Sequence, residues 1–66
     1  MNVTVNGYGH DIAAGTTVAD LVEQVAGTGR GTAVAVDGTV VPRGSWPTHT
    51  LCDGGVVELI TAVQGG

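Results

Sequence analysis

Asn6-Gly7 and Asp37-Gly38 constrain this chain more than any other feature. Each pair sits between runs of β-branched residues and favours the positive-φ reversal that joins two antiparallel strands through a two-residue loop. The first pair separates a strand over Asn2-Val3-Thr4-Val5 from a return strand over Tyr8 to Ala13. Tyr8, His10 and Ile12 share one face of that return strand by the two-residue repeat. The second pair separates Thr32–Val36 from Thr39-Val40-Val41. Pro42, which has no N–H for a ladder, closes that strand.

Between the hairpins the period changes. Val18, Leu21, Val22 and Val25 fall at i, i+3, i+4 and i+7, one apolar stripe of a helix. Thr17 with Asp20 three residues on has the spacing of a reciprocal N-terminal cap, and Gly27 ends the run. Residues 43–50 show no period and predict a loop with one helical turn around Trp46, tied down by Leu51. Asp53-Gly54-Gly55 predicts a turn, and Val56–Ala62 the last strand. That strand is apolar at both parities, which predicts a central position with partial cover on both faces. If Val57 and Leu59 face the helix, Val56, Glu58 and Ile60 face away. The order β-β-α-β-β-loop-β predicts a two-layer α+β domain of the β-grasp type. It has a mixed sheet of about five strands, with one main helix packed on one face. The domain spans residues 1–62 and is followed by a flexible tail, 63–66.

At 66 residues the chain has room for one domain with a thin core. Phe is absent, so that core is aliphatic and draws on twelve valines. Arg30 and Arg43 are the only cations against six carboxylates, which gives a net charge of −4 with no lysine. Such a chain cannot neutralise a run of phosphates, which argues against nucleic acid and anionic membrane surfaces as partners. The single cysteine, Cys52, excludes an internal disulfide and a multi-thiolate metal site. Neither a basic-apolar leader nor a long apolar run is visible, so the expectation is a cytoplasmic domain, and a thin acidic domain with one partner-facing patch is expected to be a monomer.

Chemistry concentrates in the tail. Gly65 and Gly66 lack Cβ atoms and can thread a channel too narrow for any side chain. Val63, Gln64, Gly65 and Gly66 together span at most about 13 Å when extended. The bland alternative is a frayed terminus. In the functional reading the terminal carboxylate is a substrate. A carboxylate is a poor electrophile and needs activation, for example as an acyl-adenylate. Nothing in the chain performs that step, because a phosphate loop with its lysine is missing. No residue is assigned a catalytic role and no metal or cofactor is expected. Cys52 with His10 or His49 lacks the orienting group and the cleft of a thiol catalyst. Trp46 is either a lid over the core or, with Arg43 beside it, an exposed anchor for a partner. Ile60, Glu58 and Val56 form a second candidate docking surface beside the tail.

Several segments together resemble the ThiS family, ubiquitin-like sulfur carriers of thiamine thiazole synthesis. They are the opening strand into Asn6-Gly7, Gly15-Thr16-Thr17-Val18-Ala19-Asp20-Leu21-Val22, Val34-Ala35-Val36-Asp37-Gly38, Val41-Pro42-Arg43 with Trp46, Asp53-Gly54 into Val57-Glu58-Leu59, and the final Gly65-Gly66. Cys52 and Gly55 depart from the polar or charged residues usual there. The resemblance implies that an E1-like, ThiF-like adenylyltransferase activates Gly66 with ATP and Mg²⁺. A sulfur donor protein then installs a thiocarboxylate, which passes sulfur to a ThiG-like thiazole synthase. Alternatives are the small sulfur-carrying subunit of molybdopterin synthase, a carrier for cysteine or another amino-acid pathway, a ubiquitin-like protein modifier, or a β-grasp interaction module whose tail is inert.

Overall fold

The computed structural model describes residues 1–61. It contains β1 (Asn2–Val5), β2 (Tyr8–Asp11), α1 (Val18–Ala26), β3 (Thr32–Val36), β4 (Thr39–Val41), a 3-10 turn over Arg43–Ser45, and β5 (Val56–Thr61). The strands form one sheet in the order β2-β1-β5-β3-β4. β5 is parallel to β1 and antiparallel to β3, and each hairpin adds one outer strand. The sheet is thus the mixed one expected, with the last strand in the centre beside the first. The expected tail, Val63 to Gly66, and the domain boundary at 62 lie outside the described residues.

Both turn signals fold as read. Asn6 and Gly7 have φ of 50° and 86°, and Asp37 and Gly38 have 50° and 83°. Both tips also reach sideways to β5, which the turn motif does not announce. The Asn6 backbone N–H donates to the Val57 carbonyl at 3.0 Å. Its carboxamide accepts from the Leu59 N–H at 2.8 Å and donates to the Leu59 carbonyl at 3.1 Å. On the other flank the Asp37 N–H donates to the Val56 carbonyl at 2.8 Å, and the Asp37 carboxylate accepts from the Val56 N–H at 2.9 Å. Each tip therefore adds one rung to the ladder of the central strand.

The helix starts at the predicted cap. The Thr17 hydroxyl accepts from the Asp20 N–H at 3.2 Å, and the Asp20 carboxylate accepts from the Thr17 N–H at 3.1 Å. The next two N–H groups leave the helix for partners in the loop after β4: Val18 donates to the His49 carbonyl at 2.9 Å and Ala19 to the Trp46 carbonyl at 3.1 Å. The donors that a helix N-terminus usually leaves open are thereby used to bind loop 46–51. The return contact is the Leu51 N–H to the Thr16 carbonyl at 2.9 Å, and Leu51 is buried as expected.

Val18, Leu21 and Val22 of the stripe are buried against Val3, Val5, Val34, Val41 and Val57. Val25 departs from the expectation and is 45% exposed, because it lies one turn past Val22 in a nine-residue helix that Gly27 then reverses. β2 ends at Asp11 instead of Ala13. Tyr8 and His10 register with Val5 and Val3 and so lie on the helix side. Only His10 is half-buried, since Tyr8 stands at the tip of the outermost strand, beyond the cover of α1.

Trp46 closes the core. It is 6% exposed, and its indole N–H donates to the Val41 carbonyl at 2.9 Å. Arg43 stacks on the ring at 4.6 Å and donates through Nη2 to the Gly29 carbonyl. Gly29 makes that approach feasible. Its φ is +68°, and a Cβ there would lie 2.6 Å from Val22 Cγ1 and 3.0 Å from the indole.

Gly29→Ala combines overpacking with a strained φ and is expected to cost roughly 2–4 kcal/mol in urea unfolding. A loss under about 0.5 kcal/mol would contradict this close approach. Asn6→Gly keeps the positive φ but deletes the carboxamide, and should destabilise by about 1 kcal/mol. Unchanged or higher stability would mean that Asn6 acts only as a turn residue.

Candidate functional site

β5 alternates between two environments, and the site follows from that alternation. Val57 is fully buried and Leu59 half-buried on the helix side. Val56 and Ile60 are 46% and 60% exposed on the other side, with Glu58 exposed between them. Among the described residues nothing covers this face. The expectation of partial cover on both faces is therefore corrected: the strand is apolar at both parities although only one face is packed.

The neighbouring strands extend the patch. Ile60 registers with Ala33, Glu58 with Ala35, Ala35 with Val40, and Val56 with Thr4. Directly paired residues lie on the same face. Val40 is 68% exposed. The result is a shallow apolar surface in which the short side chains Ala33, Ala35 and Thr4 leave Ile60, Val56 and Val40 standing proud around one carboxylate, Glu58. Val40, Ala33 and Ala35 were missed by the sequence reading. The register fixed by a two-residue loop at Asp37-Gly38 places Val40 opposite Ala35, and that signal was available to find them.

The five candidate docking residues do not form one patch. Val56, Glu58 and Ile60 lie on the open face of the sheet, whereas Trp46 and Arg43 lie on the helix side. Trp46 is the lid and not an exposed anchor, because its ring is packed on the core and its one donor is bonded to Val41. Arg43 is exposed at its margin, but its guanidinium is held between the indole and the Gly29 carbonyl.

Gly66, Gly65, Gln64 and Val63 lie outside the described residues. β5 carries the chain toward them, with Thr61 as its last described residue. Cys52 is exposed in the turn before β5, and no hydrogen bond joins it to His10 or His49 among the described residues. His49 instead serves the helix N-terminus through its carbonyl. An open depression bordered by Thr16, Asp20, Glu23 and Gln24 runs along the exposed side of α1 and brings no nucleophile together with a base. Among the described residues no group of three or more His, Cys, Asp or Glu side chains is placed to hold a metal ion. No described helix is long and apolar enough to cross a membrane.

Comparison with known proteins gives one consistent result. The ThiS family model matches residues 3–66. The chain is 35% identical over 66 residues to the sulfur carrier protein ThiS of Escherichia coli (strain K12), covering the whole of both chains. A crystal structure of the thiamine biosynthesis protein ThiS from Geobacter metallireducens superposes with a TM-score of 0.83 at 31% identity, again over the whole of both chains. A solution structure of a thiamine biosynthesis protein from the same organism gives 0.79 at 30% identity and covers 100% of this chain and 88% of that one. With the β-grasp sheet, the single helix and the matched sequence in agreement, this chain belongs to the ThiS family.

Proposed function

We propose that this ThiS-family sulfur carrier of thiamine biosynthesis bears its cargo on the terminal carboxylate of Gly66, and that other proteins supply all the catalysis. The observation that carries this reading is the extent of the family match, which runs through Gly65 to Gly66 itself. In the first step a carboxylate oxygen of Gly66 attacks the α-phosphorus of ATP, bound with Mg²⁺ by an E1-like, ThiF-like adenylyltransferase, and pyrophosphate leaves. The acyl-adenylate is neutral at the carbonyl and has a good leaving group. A sulfur donor protein then displaces AMP, and the resulting thiocarboxylate serves as the soft nucleophile that a ThiG-like thiazole synthase consumes. The setting is the cytoplasm, and the carrier acts as a monomer.

The open face of the sheet supplies the docking surface for the activating enzyme. Its Ile60, Val56 and Val40 call for an apolar counterpart, and Glu58 in their midst calls for one Arg or Lys across the interface. The chain's net charge of −4 attracts a basic enzyme surface over longer range.

Incubation with ATP, Mg²⁺ and the adenylyltransferase tests the chemistry. Release of pyrophosphate that depends on this chain, with formation of its acyl-adenylate, is expected. Deleting Gly66 should abolish adenylation while leaving stability within about 0.5 kcal/mol. Full adenylation of the shortened chain would overturn the assignment. Ile60→Asp should weaken binding of the enzyme at least tenfold, a factor equal to about 1.4 kcal/mol. If instead the fold loses roughly 2–5 kcal/mol with binding of the folded fraction intact, Ile60 is a core residue and the docking face is wrong.

A further inference from the structure

β5 outruns its neighbour on one side. β1 pairs with it only at Thr4↔Val56 and Val5↔Val57, and the Asn6 carboxamide adds a last rung at Leu59 before the chain reverses. β3 follows β5 to its described end, through Ala33↔Ile60 and Thr32↔Thr61. Backbone polar groups alternate along a strand, and the bonds at each flank identify the parity. Val56 bonds toward Asp37, on the β3 side, whereas Val57 and Leu59 bond toward Asn6, on the β1 side. Even-numbered residues of β5 therefore address β3 and odd-numbered ones address β1. Thr61 is odd. Its N–H and C=O point into the lane that β1 leaves at Asn6-Gly7, and no hydrogen bond to either is formed among the described residues.

Strand edges are ordinarily blunted by charge, proline or a bulge. The sequence Ile60-Thr61-Ala62-Val63 has neither charge nor proline. We propose that an extended segment of the activating enzyme adds to the sheet in this lane, which no described residue fills, pairing with the Thr61 N–H and C=O. This inference rests on the function proposed above. The length of the remaining chain selects the occupant. Five residues follow Thr61, so Gly66 lies at most about 17 Å away. An enzyme that encloses Gly66 must run alongside the chain leading to it, and strand pairing needs an approach of only about 4.8 Å. Main-chain pairing of this kind gives affinity while leaving the open face of the sheet to supply specificity.

The single cysteine makes a one-atom test feasible. Residues 1–51 can be ligated to a synthetic peptide 52–66 that begins with Cys52 and carries an ester in place of the Thr61 amide. This deletes the Thr61 N–H and keeps every side chain. Affinity for the adenylyltransferase is expected to fall roughly fivefold, the effect of one interfacial hydrogen bond. The thermal midpoint should fall far less than with an ester at Ile60, whose N–H faces β3. In the all-amide chain, hydrogen exchange at Thr61 should slow when the enzyme is added. Equal affinity of ester and amide, with normal adenylation of both, overturns strand addition and leaves the proposed function standing. Failure of the all-amide chain to be adenylated overturns both. Slow exchange at Thr61 in concentrated protein without enzyme would identify a second copy as the occupant and overturn the proposal.

Discussion

The fold depends on how the central strand is held. β5 has its β1 partner over two directly paired residues only, against five with β3. On the β1 flank Asn6 extends the ladder, its N–H bonding to Val57 and its carboxamide to Leu59, while on the β3 flank the N–H and carboxylate of Asp37 both bond to Val56. Two turns that look interchangeable in sequence thus clamp the same strand from opposite flanks. A domain of 66 residues buries little surface, so exposed backbone rungs of this kind form a substantial part of what keeps its last strand in register.

The helix side solves a second problem. With no Phe and one Trp, the core has few large side chains, and the loop that supplies Trp46 has a single 3-10 turn of its own to hold it. The helix N-terminus holds it as well. Val18 and Ala19 donate to the His49 and Trp46 carbonyls, while Thr17 and Asp20 satisfy each other. Arg43 and Gly29 then bring the far end of the helix loop against the indole. One face of the sheet is sealed by these contacts, and the other is left free. For a carrier this division is useful: the sealed face gives rigidity, and the face that no described residue covers, with the strand edge beside it, is where the proposals above place the partner.

Much of this was legible in the residues. The two Xaa-Gly pairs, the Thr17–Asp20 cap, the Gly27 stop and the breaker Pro42 act through local backbone preferences, and the elements they bound appear where expected, except that β2 ends at Asp11 and not at Ala13. What was not legible depends on contacts between distant segments. Val25 fits the helical period, but it is exposed because it falls in the last turn of a nine-residue helix, just before Gly27 reverses the chain. Residues 56–60 are apolar at both parities, which reads as double cover, yet the face of Val56 and Ile60 is open. In a small domain with partners, an apolar outer face marks an interface as readily as an interior. Trp46 beside Arg43 has the composition of an interface anchor, and only the packing of the indole on Val22 and Gly29 shows it to be a lid. The side-chain bonds of Asn6 and Asp37 to β5 span 53 and 19 positions, and no local motif reports a contact at such separation.

In the function proposed above, the molecule is a rigid handle for one reactive carbon. Intact-mass spectrometry of the protein isolated from cells that are making thiamine tests this most directly. The expected result is a species in which one oxygen is replaced by one sulfur, with fragmentation placing the sulfur on Gly66. Mass that stays unmodified throughout, or sulfur found on Cys52 with Gly66 unchanged, would contradict it.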